Sequence, residues 1–387
     1  MEKNRNEKIK AAFKLGILGD IIGYGNGQIE FNKGTVFSLE TQGDNYEQIG
    51  AEYSSTIVYD FINSGGISKN PKHEQTYSDD TLMLLANTNA LIEWLELEEK
   101  NKKVNVLINI IQNHYIKLID SRQKLEEFKD KYAGGLTTIN YLKKMKDGLE
   151  YKNFAYDLKA GGSGATMRIM IFGVYFNKPE DINNLIRVCI ESTHMTHPNN
   201  IAFLGSIILA LFCSYAFNNK KINEWINDAL QVIESSIIDD YIKENKEGFL
   251  VTFSQDKEKF INKWKDYIED RFTEEYIYKP SLIMQYPHKR SLFYNKFSHR
   301  KNQIYPGAGS DDSVIVSYDC LLDCSGSWEK LVYSSMLHVG DSDTTGIISG
   351  FLYGLFYGSS DVHHNMINNI DHISNEINLI FQKLKNL

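Results

Sequence analysis

Two short runs in this sequence concentrate oxygen donors where a helix is about to begin. The first is Thr76-Tyr77-Ser78-Asp79-Asp80-Thr81 and the second is Gly340-Asp341-Ser342-Asp343-Thr344-Thr345-Gly346. Each offers two carboxylates and a neighbouring hydroxyl. Two readings fit. Short polar side chains at a first turn cap free N–H groups, worth about 1 kcal/mol each, and need no ligand. The same atoms are a hard-oxygen set suited to Mg²⁺ or Mn²⁺. Asp80 and Asp341 lie 261 residues apart, so only the fold could join the runs. Joined, they would crowd four carboxylates, and two unit charges about 4 Å apart repel by about 4 kcal/mol at an effective dielectric of 20. Such a nest holds either protons or cations. A pair of divalent ions would neutralise it and acidify a bridging water.

Glycine-rich turns are a second ingredient. Ala160-Gly161-Gly162-Ser163-Gly164 precedes a helical run, and small residues at a helix start let backbone N–H groups approach an anion such as phosphate. Tyr132-Ala133-Gly134-Gly135 and Pro306-Gly307-Ala308-Gly309-Ser310 are weaker versions, and ordinary turns explain any one of them alone. None is a dinucleotide-binding or P-loop motif. His194-Met195-Thr196-His197 lacks an acidic neighbour to complete a metal set and reads as structural. No nucleophile elbow or zincin helix is present.

Helices must position these groups. Apolar residues recur at spacings of three and four: Ile9, Ala12, Phe13 and Ile17 mark a first helix ending towards Gly23, and Leu82, Leu85, Leu91, Trp94 and Leu95 mark another opening at Ser78-Asp79-Asp80. Similar patterns recur near 103–119, 136–147, 165–176, 181–193, 199–217, 221–245, 256–270, 313–323, 327–337, 344–357 and 365–385. Little strict alternation occurs, which predicts small β content. Gly346, Gly350, Gly354 and Gly358 place a smooth stripe on the helix after the second acidic run, allowing close backbone approach. The charged stretch from about 240 to 281 reads as a solvated helical flap on a single all-α body.

Composition narrows the class. The 387 residues carry 42 basic and 50 acidic side chains, a net charge of −8, which argues against a non-specific nucleic-acid binder. Only six prolines favour long helices. Four cysteines without a C-x-x-C pair read as reduced core thiols, and the N-terminus lacks the apolar run of a signal peptide. A cytoplasmic location is the expectation. Ile201 to Phe217 runs 17 residues without a charge, short of a bilayer span, and reads as a buried core helix.

In order along the chain, LGDIIGYGNGQIEF (18–31), YSDDTLMLLANTNALIEW (77–94), AGGSGATMRIMIFGVYF (160–176), IESTHMTHPNNIAFLGSIILALF (190–212) and GSWEKLVYSSMLHVGDSDTTGIISGFLYGLFYG (326–358) resemble the ADP-ribosylglycohydrolase family. The ADP-ribosylarginine hydrolases are its most similar branch. The resemblance implies a compact orthogonal multi-helix single domain over 1–387, with 237–303 as a variable helical insert, and a dinuclear Mg²⁺ (or Mn²⁺) centre. It implies Ser78, Asp79 and Asp80 as one ligand group and Asp341, Asp343 and Thr344 as the other. It places Gly162, Ser163 and Gly164, Gly134 and Gly135, and Gly309 and Ser310 around the substrate diphosphate, with Glu30 in a mobile entrance loop. The expected reaction is hydrolysis of the N-glycosidic bond between ADP-ribose and a protein arginine, with Asp79 or Asp80 as general base. Serine-linked, small-molecule or nitrogenase-regulator substrates, or a non-catalytic ADP-ribose-binding or structural role, are the alternatives. The partners implied are ADP-ribosylated proteins and the product ADP-ribose, with no nucleic acid, no membrane and a monomeric state. Gly25 and Val339 depart from the Tyr and Gly usual in the arginine-specific branch, while Ser78 instead of Thr leans away from the serine-specific one.

Overall fold

Helices dominate this chain because apolar residues recur every three or four positions and proline seldom interrupts them. The computed structural model describes residues 2–32, 46–68, 76–275, 277–280, 282–298, 305–368 and 382–383. Among the described residues there is no strand, and an isolated antiparallel bridge pairs Phe272 with Tyr278. The longer helices begin with α1 (Glu2–Tyr24), α2 (Tyr46–Asn63), α3 (Asp79–Leu95), α4 (Val104–Lys117) and α5 (Leu136–Lys146). There follow α6 (Met170–Tyr175), α7 (Ile182–His194), α8 (Asn200–Phe217), α9 (Trp225–Glu234) and α10 (Ser236–Asn245). The last are α11 (Leu250–Arg271), α12 (Pro287–Asn295), α13 (Asp312–Cys324), α14 (Trp328–Ser335) and α15 (Ser342–Phe356). Contacts group the chain into two compact units, Met1–Ser78 with Asp266–Leu379, and Asp79–Lys265 with Ile380–Leu387.

The core of the first unit is the pairing of α1 with α15. A Cβ on Gly346 would stand 2.4 Å from the Gly19 carbonyl oxygen, and one on Gly350 would stand 2.2 Å from that of Leu15. One on Gly354 would stand 2.4 Å from the Ala11 carbonyl carbon. The fit is reciprocal, since Cβ atoms on Gly19 and Gly23 would each stand 2.1 Å from the carbonyl oxygens of Gly346 and Ser342. The two backbones therefore touch, and only glycine permits it. Gly358 does not belong to this stripe. It follows the end of α15 at φ +77° with open space around its Cβ position, so it forms a turn.

Buried charge ties the later helices of that unit together. Asp319 on α13 is fully buried and accepts from Tyr267 Oη (2.7 Å), Arg271 Nε (2.9 Å) and Tyr294 Oη (2.7 Å). Arg290 of α12 pairs with Asp323 one turn further on.

In the second unit the core helix is α8, every residue of which is buried except half-buried Tyr215. It is long and apolar enough to cross a membrane, and here it is enclosed by protein. Asn199 caps it, its Oδ1 accepting from Ile201 N (2.9 Å) and Ala202 N (3.4 Å). Helix α6 lies so close that a Cβ on Gly173 would stand 2.0 Å from the Ala210 oxygen. The His-x-x-His pair is structural at its first member. His194 accepts from Lys246 Nζ (2.8 Å) at Nδ1 and donates from Nε2 to Phe154 O (2.9 Å). Lys246 pairs with buried Glu191 at 2.9 Å.

Several boundaries differ from those the sequence suggests. Helices α2 and α12 were not foreseen; the run Ser54-Ser55-Thr56-Ile57-Val58 in α2 is rich in β-branched and hydroxyl residues that weaken a helical signal. The expected helix at 165–176 is a 3-10 turn over Ser163–Ala165, with α-helix only from Met170. The run 221–245 breaks at Ser235. The charged stretch is solvated on one face only, because Phe253, Phe260, Trp264 and Tyr267 are buried. Of the pattern at 365–385, residues 369–381 and 384–385 lie outside the described residues, as do 276, 281 and 299–303 of the expected insert. All four cysteines are buried free thiols.

Candidate metal and substrate site

The second acidic run begins α15, and the glycine contacts with α1 fix that helix. Asp341 takes the N-cap position without capping through its side chain, and Asp343 Oδ1 accepts from the Thr344 N–H at 2.9 Å. The loop leading in is held from both sides. Asp341 N donates to Pro306 O (3.0 Å), and a Cβ on Gly340 would stand 2.1 Å from that same oxygen. His338 sets the loop's turn. Its Nδ1 accepts from Gly340 N (3.1 Å), so Nε2 carries the proton and donates to Thr345 Oγ1 (2.8 Å), which itself donates to Ser335 O (2.6 Å). Burial pushes this imidazole down to about 4, keeping it neutral.

Glu30 joins this run. It sits on a 3-10 turn (Glu30–Asn32) whose Phe31 N–H donates to Gly340 O at 3.0 Å. Phe31 has φ +50°, an uncommon conformation for an aromatic residue and one that costs on the order of 1 kcal/mol. The result is that Glu30, Asp341 and Asp343 are all buried, with one ligand oxygen from each within 4.8 Å of the others. Two charges at that separation repel by roughly 3.5 kcal/mol at an effective dielectric of 20. The set fits a hard divalent cation: three buried oxygen donors with no sulfur or imidazole among them. Sequence reasoning placed Glu30 at the entrance and with the substrate; the fold also makes it a neighbour of two proposed ligands.

The first acidic run divides in sequence at Ser78, where a segment of the first unit ends, and Asp79, where the second unit begins. Ser78, the last residue of its segment in the first unit, is fully buried and donates its N–H to Asp20 of α1 (3.0 and 3.2 Å). Asn26, at φ +57°, accepts from Thr76 N (2.9 Å) through its side chain. Asp79 and Asp80 open α3 in the second unit, both buried. Asp79 N donates to Tyr132 O (2.7 Å), and its Oδ2 accepts from Gly135 N at 3.2 Å.

The glycines of the three turns serve different ends. Gly135 presents its N–H to Asp79, while a Cβ on Gly134 would strike the Phe128 ring at 2.4 Å. Gly164 is bare because the His197 ring covers it, with Cε1 2.8 Å from where a Cβ would be. Gly309 N donates to Asp312 Oδ1 (2.7 Å) and Gly307 N to Asp312 Oδ2 (2.8 Å), so Asp312 closes that turn. Ser163 and Ser310 are buried beside these glycines. Asp20, His338, Asp311 and Asp312 went unremarked in the sequence. A signal existed for the last two, because Ser310-Asp311-Asp312 repeats the triplet Ser78-Asp79-Asp80.

Known proteins resemble this chain in sequence and in fold. A family model described as ADP-ribosylglycohydrolase matches residues 1–386. The L444 protein of Acanthamoeba polyphaga mimivirus, which carries an ADP-ribosyl glycohydrolase name, is 29% identical over 370 residues, covering 93% of this chain and 66% of its own length. The protein named ADP-ribosylhydrolase ARH1 from Dictyostelium discoideum is 27% identical over 383 residues, covering 92% of this chain and 88% of its own. A solved structure titled ADP-ribosylglycohydrolase-related protein complex matches with a TM-score of 0.51 at 14% identity, over 99% of both chains, a likeness of fold.

Proposed function

Since this chain belongs to the ADP-ribosylglycohydrolase family, we propose that it is a metal-dependent hydrolase that cleaves the N-glycosidic bond between ADP-ribose and a protein arginine, working in the cytoplasm. The observation that carries the metal dependence is the buried set Glu30, Asp341 and Asp343 within 4.8 Å. The arginine linkage rests on the ordered motifs and on Ser78 in the first run.

Asp341, Asp343 and Thr344 would hold one Mg²⁺ or Mn²⁺ ion with Glu30 beside them, and Ser78, Asp79 and Asp80 would ligate as well. Bound there, such ions supply positive charge to orient ribose hydroxyls and acidify water. The protein's own contribution is positioning. Asp20 fixes the Ser78 backbone, and Gly135 fixes one oxygen of Asp79, so the carboxylates meet the substrate pre-oriented. One of Asp79 and Asp80 takes the proton of the attacking water at a carboxylate oxygen as positive charge develops at the sugar. The leaving guanidine receives a proton in turn. Residues 162–164 and 309–310 would receive the diphosphate.

The test is a pair of matched substrates, one protein ADP-ribosylated on arginine and the same protein on serine, with release of free ADP-ribose measured for each. Release from arginine at least tenfold faster supports the linkage. Faster release from serine overturns it and leaves the hydrolase standing.

A further inference from the structure

Among the described residues three arginines are deeply buried, and one differs from the other two. Arg271 pairs with Asp319 and Arg290 with Asp323. Arg168, fully buried in the second unit, has no carboxylate within ion-pair range among the described residues. Its partners are neutral. Nη1 donates to Gly164 O (2.7 Å), and Nη2 donates to Ser192 O (3.1 Å) and Thr196 Oγ1 (2.6 Å). The guanidinium stacks over the Tyr115 ring at 4.9 Å, and its buried Nε has no hydrogen-bond partner.

A guanidinium stays protonated even here, so a whole positive charge is sunk in low dielectric with no ion-paired carboxylate, Asp79 acting on it only beyond ion-pair range. An arrangement of that kind is costly unless a charge beyond its immediate neighbours compensates it. Burial is the main influence on the group and lowers its proton affinity, while Tyr115 and, more remotely, Asp79 oppose that. The anchoring is thorough. Asn87 Nδ2 donates to Arg168 O (2.9 Å), and Tyr115 Oη bonds both Asn87 Oδ1 (2.7 Å) and Ser192 Oγ (2.8 Å). Thr196 passes its proton interaction on to His197 Nδ1 (2.9 Å), whose ring covers Gly164. Arg168 thus grips the Gly162–Gly164 turn from below at its carbonyl and, through Thr196 and His197, at its bare glycine face.

We propose that Arg168 is a positioning residue for anion binding: it locks the 162–164 turn and its unpaired charge is compensated by the diphosphate of a bound ADP-ribosyl group. This rests on the ADP-ribosyl reading given above. Because the charge is buried, its contribution is weakly screened by salt, unlike that of surface lysines.

Two variants separate charge from shape. Arg168→Gln keeps a donor for Gly164 O without charge, and Arg168→Lys keeps the charge without the fork. Calorimetric titration with ADP-ribose, AMP and adenosine, at low and at about 0.5 M salt, reads both. Arg168→Gln is expected to raise the Kd for ADP-ribose about tenfold, to leave that for adenosine within about twofold, and to keep this difference at high salt. Arg168→Lys should recover most of the loss. Equal losses for ADP-ribose and adenosine, or no loss for either, overturn the proposal. Should Arg168→Gln not fold, the wild-type protein decides: a phosphate-dependent gain of ADP-ribose over adenosine that survives 0.5 M salt supports a buried counter-charge, and a gain that collapses overturns it. Wild-type protein that binds no ADP-ribose would instead sink the functional reading on which this one stands.

Discussion

Asp20 holds the backbone of Ser78: both oxygens of its fully buried carboxylate accept the Ser78 N–H, at 3.0 and 3.2 Å. Asp20 is the residue after Gly19, whose backbone lies against Gly346 of α15. A line of close contacts therefore runs from the helix bearing Asp343, across two glycines, to Ser78 of the other acidic run. Replacing Asp20 by Ala leaves a buried N–H unsatisfied, a loss of about 1–3 kcal/mol. Release of ADP-ribose should fall about tenfold in that variant, while Asp20→Asn, which retains an acceptor, should lose less. Steady-state rates beside circular dichroism check this, and unchanged turnover in Asp20→Ala would show that Ser78 needs no such anchor.

The α1–α15 contact admits no side chain. Gly346→Ala and Gly19→Ala should each destabilise the protein by about 2 kcal/mol or more, since the new Cβ meets backbone and not a flexible side chain. Gly358→Ala, outside the stripe, should cost less, and only through its positive φ. Urea denaturation of the three variants tests the ranking.

Much of this was legible beforehand. The stripe at 346, 350 and 354 announced a close helix neighbour because glycine spacing of four marks one face. What it could not announce was the partner, since Gly16, Gly19 and Gly23 sit among apolar residues in a helix buried nearly all round. Glu30 shows the opposite limit. Its nearness to Asp341 and Asp343 accompanies a hydrogen bond, Phe31 N to Gly340 O, between residues 309 positions apart, and no local pattern encodes that. The glycine turns are ambiguous in a simpler way: Gly134 and Gly164 are small to admit Phe128 and His197, a packing demand that looks the same in sequence as an anion cradle.

Crowded carboxylates predict metal-dependent stability. Mg²⁺ at 100 times its Kd should stabilise the fold by about 2.7 kcal/mol, seen as a raised Tm, and a chelator should reverse it. Glu30→Gln or Asp343→Asn should abolish most of that gain while leaving the metal-free protein as stable as wild type or more so, because each relieves repulsion. A Tm indifferent to Mg²⁺ would count against the cation site.

Acid should weaken the protein through the buried histidines His194, His197 and His338, all held below the ordinary value. Burial, reinforced at His194 by Lys246, holds His194 and His338 each at about 4, below the unfolded value near 6.5. The unfolded chain thus binds more protons between those values, so stability is fully present above about pH 6.5 and declines as pH falls towards 4. The loss is at most roughly 3 kcal/mol per histidine. His338→Asn should flatten part of the decline in a pH series of urea midpoints. An unchanged slope would show that His338 titrates normally.

The most direct test of the account is release of ADP-ribose from an arginine-ADP-ribosylated protein, followed with Mg²⁺ and with a chelator, for wild type and for Asp80→Asn. Rapid release with Mg²⁺ is expected, with near-complete loss in chelator that added Mg²⁺ restores, and a folded Asp80→Asn variant about a hundredfold slower. Release that proceeds equally well in chelator, or in Asp80→Asn, would contradict it.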